Sequence, residues 1–223
     1  MTLSRNKRMT VTAWAVIALV IIVDQLIKIW VKTHFYLNED YEILPWFHLH
    51  FIQNNGMAFG LELFSKYALT FFRLILFGFL VWYLMRMCRK GTAPMGYLIC
   101  ISLIAAGAFG NIIDCVFYGE VFTNPAAPSV AAVVPWGEGY GSLFQGLVVD
   151  MFYFPLFSFN WPEWLPFIGG RHFSFFDPVF NFADAAISVG MICILIFYFK
   201  RLENTIDGSE KEQNVKDTRG SDD

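Results

Sequence analysis

Charged residues are scarce in this 223-residue chain, since Asp, Glu, Lys and Arg make up 16% of it, against roughly 25% of an average soluble domain. Hydrophobic residues reach 56%, and they are concentrated in blocks about as long as the hydrocarbon core of a bilayer is thick. Composition and spacing together predict an integral membrane protein. The net charge of −3 comes without a broad basic patch, which argues against a nucleic-acid partner.

The sequence also lacks the motifs of several enzyme classes. It contains no HExxH helix for a zinc peptidase, no GxSxG turn for a serine nucleophile and no glycine loop for phosphate. The four cysteines show no CxxC spacing and are expected to be packing residues. His48 and His50 would share one strand face, where a surface pair is a commoner arrangement than a metal site. We therefore expect neither a metal nor a cofactor.

Four apolar blocks each have the length of one transmembrane helix: about residues 12–30, 68–85, 97–117 and 180–199. Basic residues cluster at one side of these blocks, which predicts that both termini are cytoplasmic. The clustered residues are Arg5, Lys7, Arg8, Arg86, Arg89, Lys90, Lys200 and Arg201. We expect residues 1–201 to form a single membrane-embedded domain.

Two long segments, about residues 31–67 and 118–176, are predicted to be extracytoplasmic. Residues 48–53 alternate as a strand does, whereas residues 123–145 are rich in Gly, Pro and Ala and are expected to form a loop that can act as a lid. The polar tail 202–223 predicts a disordered cytoplasmic end. The predicted fold is thus an all-α membrane protein of four transmembrane helices, with a small extracytoplasmic β-containing portion and a loop lid.

Three aspartates lie inside the apolar blocks, where each costs roughly 2.5 to 3.5 kcal/mol on insertion scales. At about 1.5 Å per residue from the cytoplasmic ends, Asp24 lies roughly 18 Å along its helix, Asp114 roughly 27 Å and Asp184 roughly 24 Å. The three carboxylates are therefore expected to meet near the outer leaflet. Asn111 and Asn181 each precede an aspartate by three residues, which places amide and carboxylate on one helix face, where they can hydrogen-bond.

A functional interpretation is favoured for the two Asn-x-x-Asp pairs, because unrelated packing residues would not need to match in depth. Asp24 is explained equally well as a structural residue that pairs with Lys28 one helical turn later. Asp150 follows the apolar residues 147–149 in the second outer segment and can approach the mouth of the bundle. It competes with the two aspartates of the pairs for two catalytic places.

A small ion- or proton-coupled membrane transporter is the alternative function, because transporters relay protons through intramembrane carboxylates. A transporter needs a polar path through both leaflets, whereas the polar groups here lie towards one side. A non-catalytic scaffold would leave the clustered aspartates unexplained. Catalysis at the outer surface is therefore the favoured function.

Five short motifs follow one another along the chain: DQLIK at 24–28, NNGMAF at 54–59, GNIID at 110–114, GLVVD at 146–150 and FNFAD at 180–184. In this order they resemble the motifs of lipoprotein signal peptidase, also called signal peptidase II, over about residues 23–190. The resemblance implies an aspartic endopeptidase of the bacterial inner membrane. Such an enzyme removes the signal peptide from diacylglyceryl-modified prolipoproteins, just before the lipidated cysteine. Its partners are the prolipoprotein and membrane lipid, and we expect a monomer.

The resemblance places the catalytic dyad on Asp150 and Asp184, and it makes Asp114 a supporting residue. Two adjacent carboxylates share a proton and hold a water between them, so that one acts as base and the other as acid. Amides would orient substrate or carboxylates, and a glycine would permit close backbone approach. The substrate-binding or supporting residues implied in this way are Asp24, Lys28, Asn54, Gly56, Asn111, Asp114 and Asn181.

One departure from the family pattern is Cys115, which stands where the motif usually continues with arginine. Arg73 or Arg171 would have to supply a guanidinium in its place. Arg73 is also expected near the outer end of its helix, where it can pair with a lipid phosphate or a carboxylate.

A second departure is the insertion of residues 120–145 between two motifs that are usually close together. Residues 119–122 begin like the fourth motif but reach Thr123 where an aspartate is needed. Residues 146–150 are the better match, so Asp150 is preferred to Asp114.

Overall fold

The computed structural model describes residues 4–54 and 66–203. Within these ranges the chain is mostly helical, as predicted, and α1, α2 and α3 are long and apolar enough to cross a membrane, whereas α4 is a shorter apolar helix. A further helical turn at residues 199–203 follows a bend at Tyr198. The helices are α1 (Arg5–His34), α2 (Lys66–Lys90), α3 (Met95–Val121) and α4 (Phe182–Phe197). Gly56 and the tail residues 204–223, for which predictions were made, lie outside the described residues.

Short strands occupy parts of both segments between the helices. The strand predicted at residues 48–53 is confirmed as β2, which lies between β1 and β3 in an antiparallel sheet. A separate antiparallel hairpin consists of β4 and β5. The strands are β1 (Asp40–Leu44), β2 (Phe47–Asn54), β3 (Val148–Tyr153), β4 (Phe157–Asn160) and β5 (His172–Phe175). Register pairs Ile52 with Asp150, which brings that aspartate close to the end of β2.

The inserted segment is a loop, as its composition predicted, and it returns along the outer end of α3. The amide of Gly141 donates to the carbonyl of Gly119 over 2.9 Å, and the amide of Gly146 donates to that of Cys115 over 2.9 Å. Gly146 lies so close to α3 that a Cβ there would collide with the carbonyl oxygen of Asp114. These bonds fix the point at which the chain enters β3. The lid role of this loop stays a prediction.

Two apolar cores lie on either side of the polar residues. The first fills the helix bundle and includes Tyr97, Ala105 and Ala106 of α3, all 0% exposed. The second lies beneath the sheet and contains Phe51 and Val149. Three of the four cysteines are buried and all four are free, in agreement with their predicted packing role.

The helices α3 and α4 approach each other closely because small residues line their contact. A Cβ on Gly107 would collide with the carbonyl oxygen of Ala183, and Ala186 is also buried between the helices. Backbones pack at such short range in membrane proteins where both faces carry Gly or Ala. This close contact brings the first turn of α4 within reach of polar side chains on α3 and α1.

Candidate active site

Asp150 and Asp184 reach the same site from different elements. Asp150 lies in β3, and Asp184 lies in the first turn of α4. Residues 152 and 180 exchange two backbone hydrogen bonds of 2.8 and 3.0 Å, so β3 runs beside the residues that lead into α4. The Nδ2 of Asn181 donates to Oδ1 of Asp150 over 2.6 Å, and its Oδ1 accepts from the backbone amide of Asp184 over 2.9 Å. One asparagine therefore holds both aspartates.

The start of α4 explains why an asparagine and an aspartate stand three residues apart. Asn181 is the N-cap, and the carboxylate of Asp184 accepts from the backbone amide of Asn181 over 3.4 Å. This reciprocal arrangement is a capping box, which satisfies amides that a helix start leaves without partners. Asp24 of α1 serves another backbone amide at the start of α4, since its Oδ1 accepts from the amide of Ala183 over 2.9 Å. The catalytic candidate on α4 is thus fixed by its own helix cap.

The predicted hydrogen bond between amide and carboxylate within each Asn-x-x-Asp pair was wrong. The Nδ2 of Asn111 donates to Asp184 on α4 over 2.8 Å, and that of Asn181 donates to Asp150 on β3. The two amides are themselves linked, because Asn181 also donates to Oδ1 of Asn111 over 3.1 Å. Each amide therefore reaches a carboxylate on another element, and the pair of asparagines connects α3, α4 and β3.

Lys28 joins two carboxylates that come from different apolar blocks of the sequence. Its Nζ lies 2.8 Å from Asp114 and 3.1 Å from Asp24, and all three side chains are 0% exposed. The second distance confirms the predicted pairing of Asp24 with Lys28. Lys28 also donates to Oδ1 of Asn111 over 2.8 Å. A buried charge is tolerated when it is paired and hydrogen-bonded, and this ammonium meets that condition on three sides.

Asp114 accepts bonds that hold the strand carrying Asp150. Its Oδ2 receives the backbone amide of Val149 over 3.2 Å, and its Oδ1 receives Nε2 of Gln25 over 3.0 Å. With Lys28 on the same carboxylate, both oxygens of Asp114 are engaged by protein groups. This arrangement fits a supporting residue.

Burial and a neighbouring charge alter the acidity of Asp150. Burial is the larger cause and the charge of Asp184 the second, and together they raise the pKa of Asp150 from 3.8 to about 7. Hydrogen bonds from Asn181 and Asn54 oppose this rise in the pKa. The Nδ2 of Asn54 lies 3.3 Å from Oδ2 of Asp150. A carboxyl with such a pKa carries a proton for about half of the time near neutral pH, as an acid–base pair requires.

Arg73 of α2 contacts Cys115, the residue at which the sequence departs from the family motif. Its Nη1 donates to Sγ of Cys115 over 3.0 Å. Arg171 is exposed in the loop before β5. Of the two arginines considered from the sequence, Arg73 is therefore the one whose guanidinium reaches Cys115.

Two residues of the site received no role from the sequence. Gln25 donates to both intramembrane aspartates of α1 and α3 and accepts from the hydroxyl of Tyr118 over 3.1 Å. The signal for Gln25 was present, because it is a polar residue beside Asp24 in an apolar block. Tyr118 gave no comparable signal, since an aromatic residue near the end of an apolar block is common in membrane proteins.

The sequence profile of a family described as Signal peptidase (SPase) II matches residues 16–200. The chain belongs to the signal peptidase II family. A lipoprotein signal peptidase of Porphyromonas gingivalis is 48% identical over 196 residues, which cover 88% of this chain and 86% of the relative. One of Amoebophilus asiaticus is 32% identical over 84% of this chain and 79% of its own length.

Solved structures support the fold. Two structures titled as a bacterial membrane enzyme have TM-scores of 0.56 and 0.55 at 23% and 24% identity. They cover 87% and 83% of this chain, and the match spans 89% and 90% of their own lengths. Family membership makes the protein a peptidase of the bacterial inner membrane that removes signal peptides from prolipoproteins. The transporter alternative is thereby set aside.

Proposed function

We propose that Asp150 and Asp184 are the catalytic dyad with which this chain cleaves diacylglyceryl-modified prolipoproteins before the lipidated cysteine. The observation that carries the proposal is that Asn181 holds Asp150, whose pKa is raised to about 7, beside the first turn of α4 that bears Asp184. Neighbouring carboxylates that cannot both ionise cheaply share a proton. Asp114 is less suited to this role, because its carboxylate forms a buried ion pair with Lys28 and also accepts the backbone amide of Val149.

The geometry also favours a division of roles within the dyad. The carboxylate of Asp184 accepts from Asn111 and from the backbone amide of Asn181, which fix its position. The raised pKa of Asp150 suits the acid, so Asp184 takes the part of the base.

The reaction then needs only a water molecule and the two carboxyl groups. The oxygen of the water attacks the scissile carbonyl carbon while Asp184 takes a proton from the water. Asp150 donates its own proton to the developing oxyanion. When the tetrahedral intermediate collapses, the C–N bond breaks. The amine of the lipidated cysteine leaves with the proton that Asp184 took from the water. Asp150 recovers its proton from a hydroxyl group of the intermediate, and the signal peptide keeps the new carboxyl group.

Asn54, Asn111 and Asn181 are proposed to orient the dyad and the substrate backbone. Asn54 ends β2 next to Asp150, so the chain that continues towards Gly56 starts at the site. Gly56 is proposed to let the substrate backbone approach closely. Asp24, Lys28 and Asp114 support the site through the bonds described above.

The proposed arrangement in the membrane has four transmembrane helices. The 16 residues of α4 span only about 24 Å, but the turn at residues 199–203 extends it towards the roughly 30 Å of a hydrocarbon core. The distribution of basic residues supports cytoplasmic termini and a dyad near the outer face. Residues 1–201 are proposed to form one domain that acts as a monomer in lipid.

Single replacements by the isosteric asparagine test the dyad in detergent, with a diacylglyceryl-modified precursor as substrate. We expect Asp150→Asn and Asp184→Asn to lose about 10²-fold or more in kcat, because each removes one proton-transferring group. Asp114→Asn should keep measurable kcat, since it supports β3 and does not touch the substrate. Thermal unfolding of each variant provides the control for folding. Cleavage at the parental rate by either dyad variant would contradict the assignment.

A further inference from the structure

Lys32, near the outer end of α1, is enclosed by aromatic rings. Its side chain is 0% exposed, and Nζ lies 5.0 Å from the ring centroid of Tyr140, 5.4 Å from that of Phe122 and 6.0 Å from that of Tyr118. A cation within about 6 Å of a ring face is attracted by the electrons of the ring. Three rings from the end of α3 and the inserted loop therefore form a cage around one ammonium.

The ammonium of Lys32 depends on this cage. No residue within 4–54 or 66–203 accepts a hydrogen bond from its Nζ, and a buried charge without a hydrogen bond is costly. The charge of Asp114 attracts it from a distance. A methionine of similar length would fill the same space without that cost, so the presence of a lysine calls for a role of its positive charge.

The cage is connected to the strand that bears Asp150. The hydroxyl of Tyr140 accepts the backbone amide of Leu147 over 2.7 Å, and Leu147 directly precedes β3. The backbone carbonyl of Lys32 accepts the amide of Ala131 over 3.2 Å, which attaches a second point of the same loop to α1. The side chain and the backbone of Lys32 thus both hold the inserted loop.

We propose that Lys32 is a positioning residue of the reaction: its caged ammonium holds Tyr140, and Tyr140 holds the start of β3 and thereby the position of Asp150. The inserted loop then acts as a fixed support for the dyad, which differs from the lid that its composition suggested. The inference rests on the proposed function insofar as Asp150 is catalytic. The effect on β3 itself does not depend on that assignment.

Three variants of the full chain in detergent test the role of Lys32. We expect Lys32→Met to lower kcat about tenfold or more with KM within about twofold, because a small displacement of a catalytic group is enough for such a loss. Lys32→Arg keeps a cation for the rings and should retain most of the parental kcat. Tyr140→Phe keeps the ring but loses the acceptor of the Leu147 amide, so it should lower kcat in the same way.

Hydrogen exchange measures the position of β3 without reference to activity. In Lys32→Met and in Tyr140→Phe, amides of residues 141–150 should exchange faster while those of α2 and α4 stay as protected as in the parent. Lys90→Met, the same chemical change at an exposed lysine of α2, is the matched control and should change neither measurement.

The two readouts separate the outcomes. Parental kcat and parental exchange in Lys32→Met would overturn the inference, as would a loss of protection throughout the bundle, which indicates a general structural role. If Lys32→Met does not fold, parental kcat and exchange in Tyr140→Phe would overturn it. Activity of Asp150→Asn would contradict the proposed dyad alone, because faster exchange at residues 141–150 would still show that Lys32 positions β3.

Discussion

Asp150 of β3 is buried and has a second carboxylate, that of Asp184, as a neighbour. It is 2% exposed, and its hydrogen-bond donors are the side-chain amides of Asn54 and Asn181. Amides stabilise a carboxylate less than a cation does, so burial prevails and the pKa stays high. Asp114, in contrast, has the ammonium of Lys28 at 2.8 Å. Asp150 thus lies beside amides and a second carboxylate, whereas Asp114 is held by an ammonium.

The raised pKa of Asp150 predicts how stability depends on pH. The pKa is about 7 in the folded chain and 3.8 for the ordinary group, so between these values the folded state binds more protons than the unfolded state. Stability from this group is therefore full below about pH 4 and is lost as pH rises towards 7. Asp150→Asn has no such loss. By pH 7 its free energy of unfolding should exceed that of the parent by up to about 4 kcal/mol. Thermal unfolding in detergent at pH 4, 5.5 and 7 measures this, and parallel curves for the two proteins would contradict it.

The sequence identified the polar residues of the site, but it did not identify their hydrogen-bond partners. Asp24, Asp114, Asp184 and the two asparagines stand out because polar residues are rare in apolar blocks. Their hydrogen bonds depend on which helix faces which, and one sequence does not contain that information. The pattern at residues 181–184 is also typical of a capping box, whereas the prediction was a direct contact between the amide and the carboxylate.

Helix α2 contributes one charged residue to the surroundings of the site, Arg73. The guanidinium contacts Cys115 of α3, one residue after Asp114. A guanidinium offers several donors in a planar arrangement that suits phosphate or carboxylate groups. A helix other than the one that carries the family motif therefore brings a positive charge to this position.

An exchange of residues between the two helices tests this arrangement. Arg73→Leu should lower kcat/KM about tenfold, as expected when a charged hydrogen-bonding group is lost. Adding Cys115→Arg to that variant should restore most of the activity, because the guanidinium then comes from α3. Cys115→Ser alone is the control for the loss of the thiol. An unchanged kcat/KM in Arg73→Leu would contradict the prediction.

The helices were predictable and most strands were not. Each apolar block corresponds to one helix, because length and hydropathy suffice to detect a membrane-spanning segment. β3 has the sequence VVDMFY, and its first four residues are buried, so both of its faces lie in the protein and it lacks the alternation that marks a half-buried strand. β4 and β5 have four residues each, too few for periodicity to appear.

At the scale of the whole molecule, the outer surface of the helices is apolar. Ile75 is 70% exposed, Phe79 59% and Ile196 66%, whereas the inner faces carry the small residues and the polar cluster. A soluble protein seldom exposes so many large apolar side chains together. The distribution agrees with a bundle that turns apolar side chains to lipid and polar ones inward.

The proposed orientation can be tested with cysteines placed at exposed positions. Glu42 in β1 and Lys90 at the end of α2 are both exposed. In intact cells whose outer membrane has been made permeable, a membrane-impermeant maleimide should label Glu42→Cys, and it should label Lys90→Cys only after the inner membrane is opened. The parent chain is the control: Cys88, Cys100 and Cys115 are buried, and any label on the half-buried Cys193 appears in the parent as well. The reverse labelling pattern would show the opposite topology.

The arrangement of α1 also bears on biogenesis. Ionisable side chains enter a bilayer at a cost, and α1 is made before the helices that later surround its Asp24 and Lys28. Because these residues lie one turn apart and 3.1 Å from each other, the helix carries its own neutralising partner as it leaves the translocation machinery. When α3 follows, the ammonium gains Asp114, and when α4 follows, Asp24 receives the backbone amide of Ala183. The order of synthesis thus matches the order in which the buried charges acquire partners.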